Sequence, residues 1–167
     1  YQRHKDLFDY CTIRSKDKRS IQETRMMALN AAIAISKVHN NGYICNDIKP
    51  ENMLITKNME ILLCDTDSFT MENTNNNRKV SYTYENMAPE YFTDTINDKK
   101  MLDVFAFGPT LLWITENGFP NWCLDNRKDK RLTKDLEQKH IELANLGFQY
   151  LHNETPISLR CMFLSLI

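Results

Sequence analysis

Apolar and polar positions follow two different rhythms along this chain. From Ile21 to Asn40 the apolar residues recur at helical spacing, and Met26, Leu29, Ala32, Ile33, Ile35 and Val38 cluster toward one face. Ser20 and Glu23 form the S-x-x-E pattern of a capping box at the start of this stretch, and Asn40-Asn41-Gly42 ends it. Upstream, "HKDLFDYCTIRS" is short and mixed and predicts a helix that opens the domain. Downstream the rhythm shortens. "NMLIT" and "EILLCD" are apolar runs rich in strand formers, parted by "KNM", and predict a small β-hairpin. "TMENTNNNRK" (70–79) almost lacks apolar anchors and predicts a surface loop. "LDVFAFGPTLLWITENG" (102–118) is apolar nearly all round, which predicts a helix buried in the core and ended by Gly118 and Pro120. Pro109 inside it is expected to kink that helix or shift its start. Two more helices are expected near 133–151 and 158–167. The fold class is therefore mainly α with one small β-hairpin.

Composition changes this picture little. The 167 residues are 42% hydrophobic and 26% charged, which suits one globular domain with a sizeable core. The net charge of −1 provides no field that would favour nucleic acid or a membrane surface. The mixed run "NRKDKRLTK" is expected to be a solvated face. Five cysteines, at 11, 45, 64, 123 and 161, are scattered, odd in number and free of any C-x-x-C. That spacing argues against a disulfide framework or a zinc site and for a reducing, intracellular compartment, the cytoplasm. No apolar run has the length of a membrane span, and no signal-peptide pattern opens the chain. Tyr1 at the start and the uncapped apolar stretch "SLRCMFLSLI" at the end lead to the expectation of a piece excised from something longer.

Candidate chemistry concentrates in "ICNDIKPENMLI" (44–55), where an acid, a base and an amide sit between apolar runs. Taken singly, Asp47 reads as a turn acid, Asn52 as a turn amide and Asp65 as a strand-end cap. Taken together they suit phosphoryl transfer, whose chemistry is mostly positioning and charge neutralisation. One acid can orient or deprotonate a hydroxyl. An amide oxygen and a second acid can hold Mg²⁺, which prefers hard oxygen ligands. A lysine can meet phosphate charge, and Pro50 stiffens the loop.

"CNDIKPEN" resembles the H-R-D-L-K-P-E-N catalytic loop of eukaryotic protein kinases. "CDTDSF" stands where that family has its metal-binding D-F-G. "YTYENMAPE" is similar to the end of the activation segment, "DVFAFG" to the D-x-x-x-x-G that opens a buried helix, and "DLFDY" to the segment after the hinge. All five occur in the family's order and spacing. The resemblance implies the helical C-terminal lobe of a serine/threonine kinase, using ATP and Mg²⁺ on a protein substrate and needing an N-terminal lobe. It implies Asp47 as catalytic base, Lys49 on the transferred phosphate, and Asn52 and Asp65 on the metal ions. Thr83 would bridge Asp47 and Lys49, and Leu54 would support the adenine. Asp6 would lie near the ribose, beside the equal reading of a helix-capping acid. Asp103 would brace the loop backbone, Glu90 would form a structural ion pair and His39 would be a satisfied structural histidine. Trp113, Trp122 and the methionines of the long helix are expected in the core, and the cysteines as small buried fillers.

Four positions depart from the pattern. Cys45 and Asn46 replace the His and Arg of H-R-D, while Thr66 and Asp67 replace the Phe and Gly of D-F-G. Cys45 and Thr66 should weaken the apolar stack that holds the active shape. Asp67, in a glycine's place, should bear the cost of a left-handed backbone. Without the Arg, a phosphate on the activation loop would lose its main partner. No G-x-G-x-x-G loop and no V-A-I-K strand occurs. These departures keep a pseudokinase open as an alternative, a binding or regulatory module with impaired catalysis. A third possibility, a small-molecule phosphotransferase of related fold, is disfavoured by A-P-E and the long activation segment.

Overall fold

The computed structural model describes residues 5–14, 18–73, 83, 86–88 and 98–116. Helices dominate these residues. A two-residue strand β1 (Lys5–Asp6) runs into helix α1 (Leu7–Ile13), and helix α2 (Ile21–Asn40) follows. Strand β2 (Tyr43–Ile44) leads through the loop and a 3₁₀ turn (Pro50–Asn52) to strands β3 (Met53–Ile55) and β4 (Ile61–Leu63). A second 3₁₀ turn (Thr66–Ser68), strand β5 (Thr70–Met71) and helix α3 (Lys100–Glu116) complete the described elements.

Local chemistry accounts for the helix ends. Asp6 accepts the Asp9 amide at 2.7 Å and caps α1, and Ser20 accepts the Glu23 amide at 3.1 Å and caps α2. Past α2, Gly42 takes φ 77°, a left-handed turn that suits a residue without Cβ, and its amide reaches the His39 carbonyl at 3.0 Å.

The expected hairpin is present as β3 and β4, paired antiparallel with Met53 opposite Leu63 and Ile55 opposite Ile61. The sheet is larger than expected. β1 adds a third strand, Asp6 opposite Leu54, and β2 pairs with β5 as a separate ladder. Thr70 and Met71 therefore form a strand where a loop was expected. Strands of two residues carry too little alternation to show in the sequence.

The face of α2 also differs from expectation. Met27, Ala28, Ala31, Ala34 and Ile35 are buried, while Met26, Leu29 and Ile33 are exposed at 47%, 55% and 41%. Alanines weigh little in an apolar pattern, yet their small side chains let α3 approach closely, and α2 packs against α3 and β4. α3 is buried as expected, with Leu102, Ala106, Phe107, Leu111 and Ile114 in the core. It continues through Pro109 with no change of start at that residue. Trp113 packs against the core and stacks on Phe8, ring centroids 4.5 Å apart. The helices expected at 133–151 and 158–167, Glu90, Trp122 and positions 74–79 of the expected loop lie outside the described residues.

Candidate active site

The loop after β2 is held from below by one carboxylate. Asp103, on α3, is fully buried and accepts the Cys45 amide at 2.7 Å, the Asn46 amide at 2.8 Å and a His39 Nε2 contact at 2.7 Å. A buried charge persists only when its hydrogen-bonding capacity is used in this way. His39, Cys45 and Asp103 offer ligand atoms within 4.8 Å of one another. The two amides and His39 already engage the carboxylate, so the trio acts as a brace for the loop. Burial, then the neighbouring Asp103, pushes the Cys45 thiol well above its usual range, which makes it an inert filler.

Above this brace the structure brings four of the candidate residues together. Asp47 is 7% exposed, and its carboxylate receives four donors. Thr83 gives Oδ1 both its backbone amide at 3.1 Å and its hydroxyl at 2.7 Å. Lys49 Nζ reaches Oδ2 at 2.7 Å, and Asn52 Nδ2 reaches it at 2.9 Å. Asn52 Nδ2 also donates to the Asp47 carbonyl at 2.9 Å, and Lys49 Nζ donates to the Thr83 hydroxyl at 2.9 Å. The loop is thus cross-linked by its own Lys49 and Asn52 side chains and by Thr83 from farther along the chain. Pro50 opens the 3₁₀ turn that sets Asn52 back against Asp47.

Asp65 sits apart from this cluster. It precedes the Thr66–Ser68 turn, is exposed, and takes φ 58°, ψ 50°. Its side chain makes no hydrogen bond to that turn and enters no salt bridge among the described residues. Left-handed backbone at a residue with a Cβ costs roughly 1 kcal/mol, and such strain gathers at functional sites. Asp67 was expected to carry that strain. Among the described residues, the left-handed ones besides Gly42 are instead Asn46, Met59 and Asp65. The 3₁₀ turn gives Asp67 ordinary angles, so no glycine is needed there. Thr66 is exposed, and the aromatic that packs against the core from this segment is Phe69.

Asp6 and Leu54 are opposite one another on paired strands and share one sheet face, away from the buried Met53 and Ile55. The structure uses Asp6 as a helix cap. Two contributors to the site had no signal in the sequence. Asn86 donates to the Ile48 carbonyl at 3.0 Å, and Ser68 Oγ donates to the Cys45 carbonyl at 2.8 Å. Their partners are backbone groups, which no motif records.

The donor set fits a divalent cation of the Mg²⁺ type. Both hydrogen bonds of Asn52 use its Nδ2, which leaves the amide oxygen for a ligand. Asp65 is exposed and follows Cys64, whose amide donates to the Asn52 carbonyl at 2.9 Å. Two hard oxygens from a rigid turn and a short segment are what Mg²⁺ takes from a protein when phosphates and waters supply the rest.

A family model described as "Protein kinase domain" matches residues 1–161. Among curated proteins, the gamma catalytic chain of phosphorylase b kinase, liver/testis isoform, from Bos taurus is 32% identical over 123 residues, covering 70% of this chain and 30% of the relative. The serine/threonine-protein kinase PKH2 of Saccharomyces cerevisiae is 36% identical over 104 residues, 53% of this chain and 10% of its own length. A probable serine/threonine-protein kinase of Dictyostelium discoideum is 32% identical over 90 residues, 53% of this chain and 8% of the relative. This chain thus spans less than a third of the length of each of these relatives. Among the described residues, no helix is long and apolar enough to cross a membrane. With the family model matching nearly end to end, this chain belongs to the protein kinase family.

Proposed function

We propose that this chain is the C-terminal lobe of a serine/threonine protein kinase that transfers the γ-phosphate of ATP to protein hydroxyls. The observation that carries the reading is the Asp47 carboxylate gripped by Lys49, Asn52 and Thr83. In this reading Asp47 orients the substrate hydroxyl and accepts its proton. The four donors occupy the acceptor sites of the Asp47 carboxylate, so one must yield to a substrate hydroxyl. Lys49 is the mobile one, since its side chain is 23% exposed and an incoming phosphate attracts it. Lys49 then neutralises phosphate charge while Thr83 and Asn52 keep Asp47 in place.

Mg²⁺ would be held by Asn52 and Asp65, and it supplies charge neutralisation on the phosphates. Leu54 offers an apolar surface for the adenine, and Asp6 stands beside it near the ribose. The upper half of the nucleotide site belongs to an N-terminal lobe, and the substrate is a protein in an intracellular compartment. The sequence K-P-E-N in the loop supports serine/threonine preference.

A second reading, a pseudokinase acting as a binding module, is favoured by one observation. The segment after Asp65 keeps neither the Phe nor the Gly of D-F-G, and Thr66 and Asp67 are both exposed. The two readings separate in one experiment on the full-length protein. Mg-ATP labelled at the γ-position should label serine or threonine of a generic protein substrate over time, and EDTA should stop it. Nucleotide binding with no transfer would contradict the enzyme and support the module.

A further inference from the structure

The strand ladder β2–β5 and one side chain fasten the Asp65 segment to the catalytic loop. Asn46 is 7% exposed, and its Nδ2 donates to the Ser68 carbonyl at 2.7 Å, the Thr70 hydroxyl at 3.0 Å and the Ile44 carbonyl at 3.3 Å. Its backbone amide is fixed to Asp103 at 2.8 Å. Ser68 Oγ returns the link, its single hydrogen shared between the Cys45 carbonyl at 2.8 Å and the Asp65 carbonyl at 3.0 Å. A connected path therefore runs from the buried Asp103 through Asn46 to Ser68 and Thr70, and from Ser68 to Asp65.

We propose that Asn46 is a positioning residue that sets the Asp65 carboxylate by clamping Ser68 and Thr70, and that this clamp needs no phosphate. The proposal rests on Asp65 being a metal ligand. Three features of Asn46 suit the task. A primary amide carries two hydrogens, enough to serve Ser68 and Thr70 together. Its φ of 66° is left-handed, a conformation that Asn, Asp and Gly tolerate better than other residues. The amide is also neutral and buried, so the link is independent of salt and of any charged partner, whereas an arginine at this place would need an anion. Without the amide, the Ser68 carbonyl and Thr70 hydroxyl lose their donor at a half-buried place in the fold.

The test uses the full-length protein with Asn46→Asp, Asn46→Gly and Thr70→Val. The first keeps shape and backbone but cannot donate. The second keeps the backbone and removes the side chain. The third removes one acceptor. Amide deuterium uptake over 65–72 is the readout that does not depend on activity, with 27–35 of α2 as internal control. Both Asn46 variants should exchange about tenfold faster over 65–72 with the control unchanged, and Thr70→Val should fall between them and wild type. The Mg²⁺ concentration for half-maximal phosphate transfer should rise severalfold in the Asn46 variants, and phosphatase treatment of wild type should leave transfer within about twofold. Wild-type exchange over 65–72 in both Asn46 variants would overturn the clamp. Faster exchange with an unchanged Mg²⁺ requirement would overturn the positioning role. Faster exchange in a protein that transfers no phosphate at all would support the clamp and sink the kinase reading instead.

Discussion

The loop from Ile44 to Asn52 and the segment from Asp65 to Met71 carry the two halves of the proposed chemistry, and they are held differently. The loop is braced from below by Asp103, cross-linked from within by Lys49 and Asn52 around Asp47, and joined there by Thr83 from farther along the chain. The segment has a strained acid with a solvent-exposed side chain, and it is tied down through its neighbours, by Asn46, Ser68, two strand residues and the packing of Phe69 on the core. Where the chain keeps the family's residues, the residues themselves build the local order. Where it departs from them, order is imported from next door. The departures at Cys45, Asn46, Thr66 and Asp67 thus leave the loop intact and shift the burden of holding Asp65 onto hydrogen bonds that the motif does not name.

That contrast can be broken at the brace. Asp103→Ala removes the acceptor of two buried amides and the partner of His39, and should cost on the order of 3–5 kcal/mol. Urea denaturation of the full-length protein would show it, and a loss below about 1 kcal/mol would mean that the loop is held elsewhere. A smaller effect is expected at the segment. Ser68→Ala removes the hydroxyl that joins Cys45 and Asp65 carbonyls, for about 0.5–1.5 kcal/mol, with transfer reduced severalfold at limiting Mg²⁺. The smallest effect is a pH slope. The Cys45 thiol is pushed up by burial and by Asp103 from an ordinary value of 9.0. Folding therefore favours the protonated thiol, so its contribution is complete below about pH 9 and is lost as pH rises above that. The decline from this group is at most about 1.4 kcal/mol per pH unit. Melting temperatures between pH 8 and 10 should fall less steeply in Cys45→Ser. Cys11, Cys64 and Tyr10 are raised too, chiefly by burial, and leave a residual slope.

The sequence showed the loop well and the segment poorly, for a physical reason. Asp47, Lys49 and Asn52 lie within six positions, their contacts are local, and the resemblance of this stretch to the family's catalytic loop marks them as a set. The capping box at Ser20 and Glu23 and the buried helix around Asp103 were legible on the same ground, because short-range patterns determine them. The clamp from Asn46 to Ser68 and Thr70 joins residues 22 and 24 positions apart through backbone and hydroxyl acceptors. Nothing in residue type marks such a partner. The same limit hid the buried face of α2, where Ala28, Ala31 and Ala34 matter for closeness rather than for hydrophobicity. It also hid the strain at Asp65, since the fold places the left-handed turn at this acid and not at Asp67, the residue in glycine's place.

Both halves must act together if the account is right, and one assay addresses that directly. The full-length protein and its Asp47→Asn and Asp65→Asn variants are compared for γ-phosphate transfer from Mg-ATP to a generic protein substrate. The first variant removes the proposed proton acceptor from an otherwise braced loop, and the second removes the proposed metal ligand from the Asp65 segment. Each should lower transfer by about 100-fold or more while the protein stays folded. Transfer at the wild-type rate in both variants would contradict the assignment of this array to phosphoryl transfer.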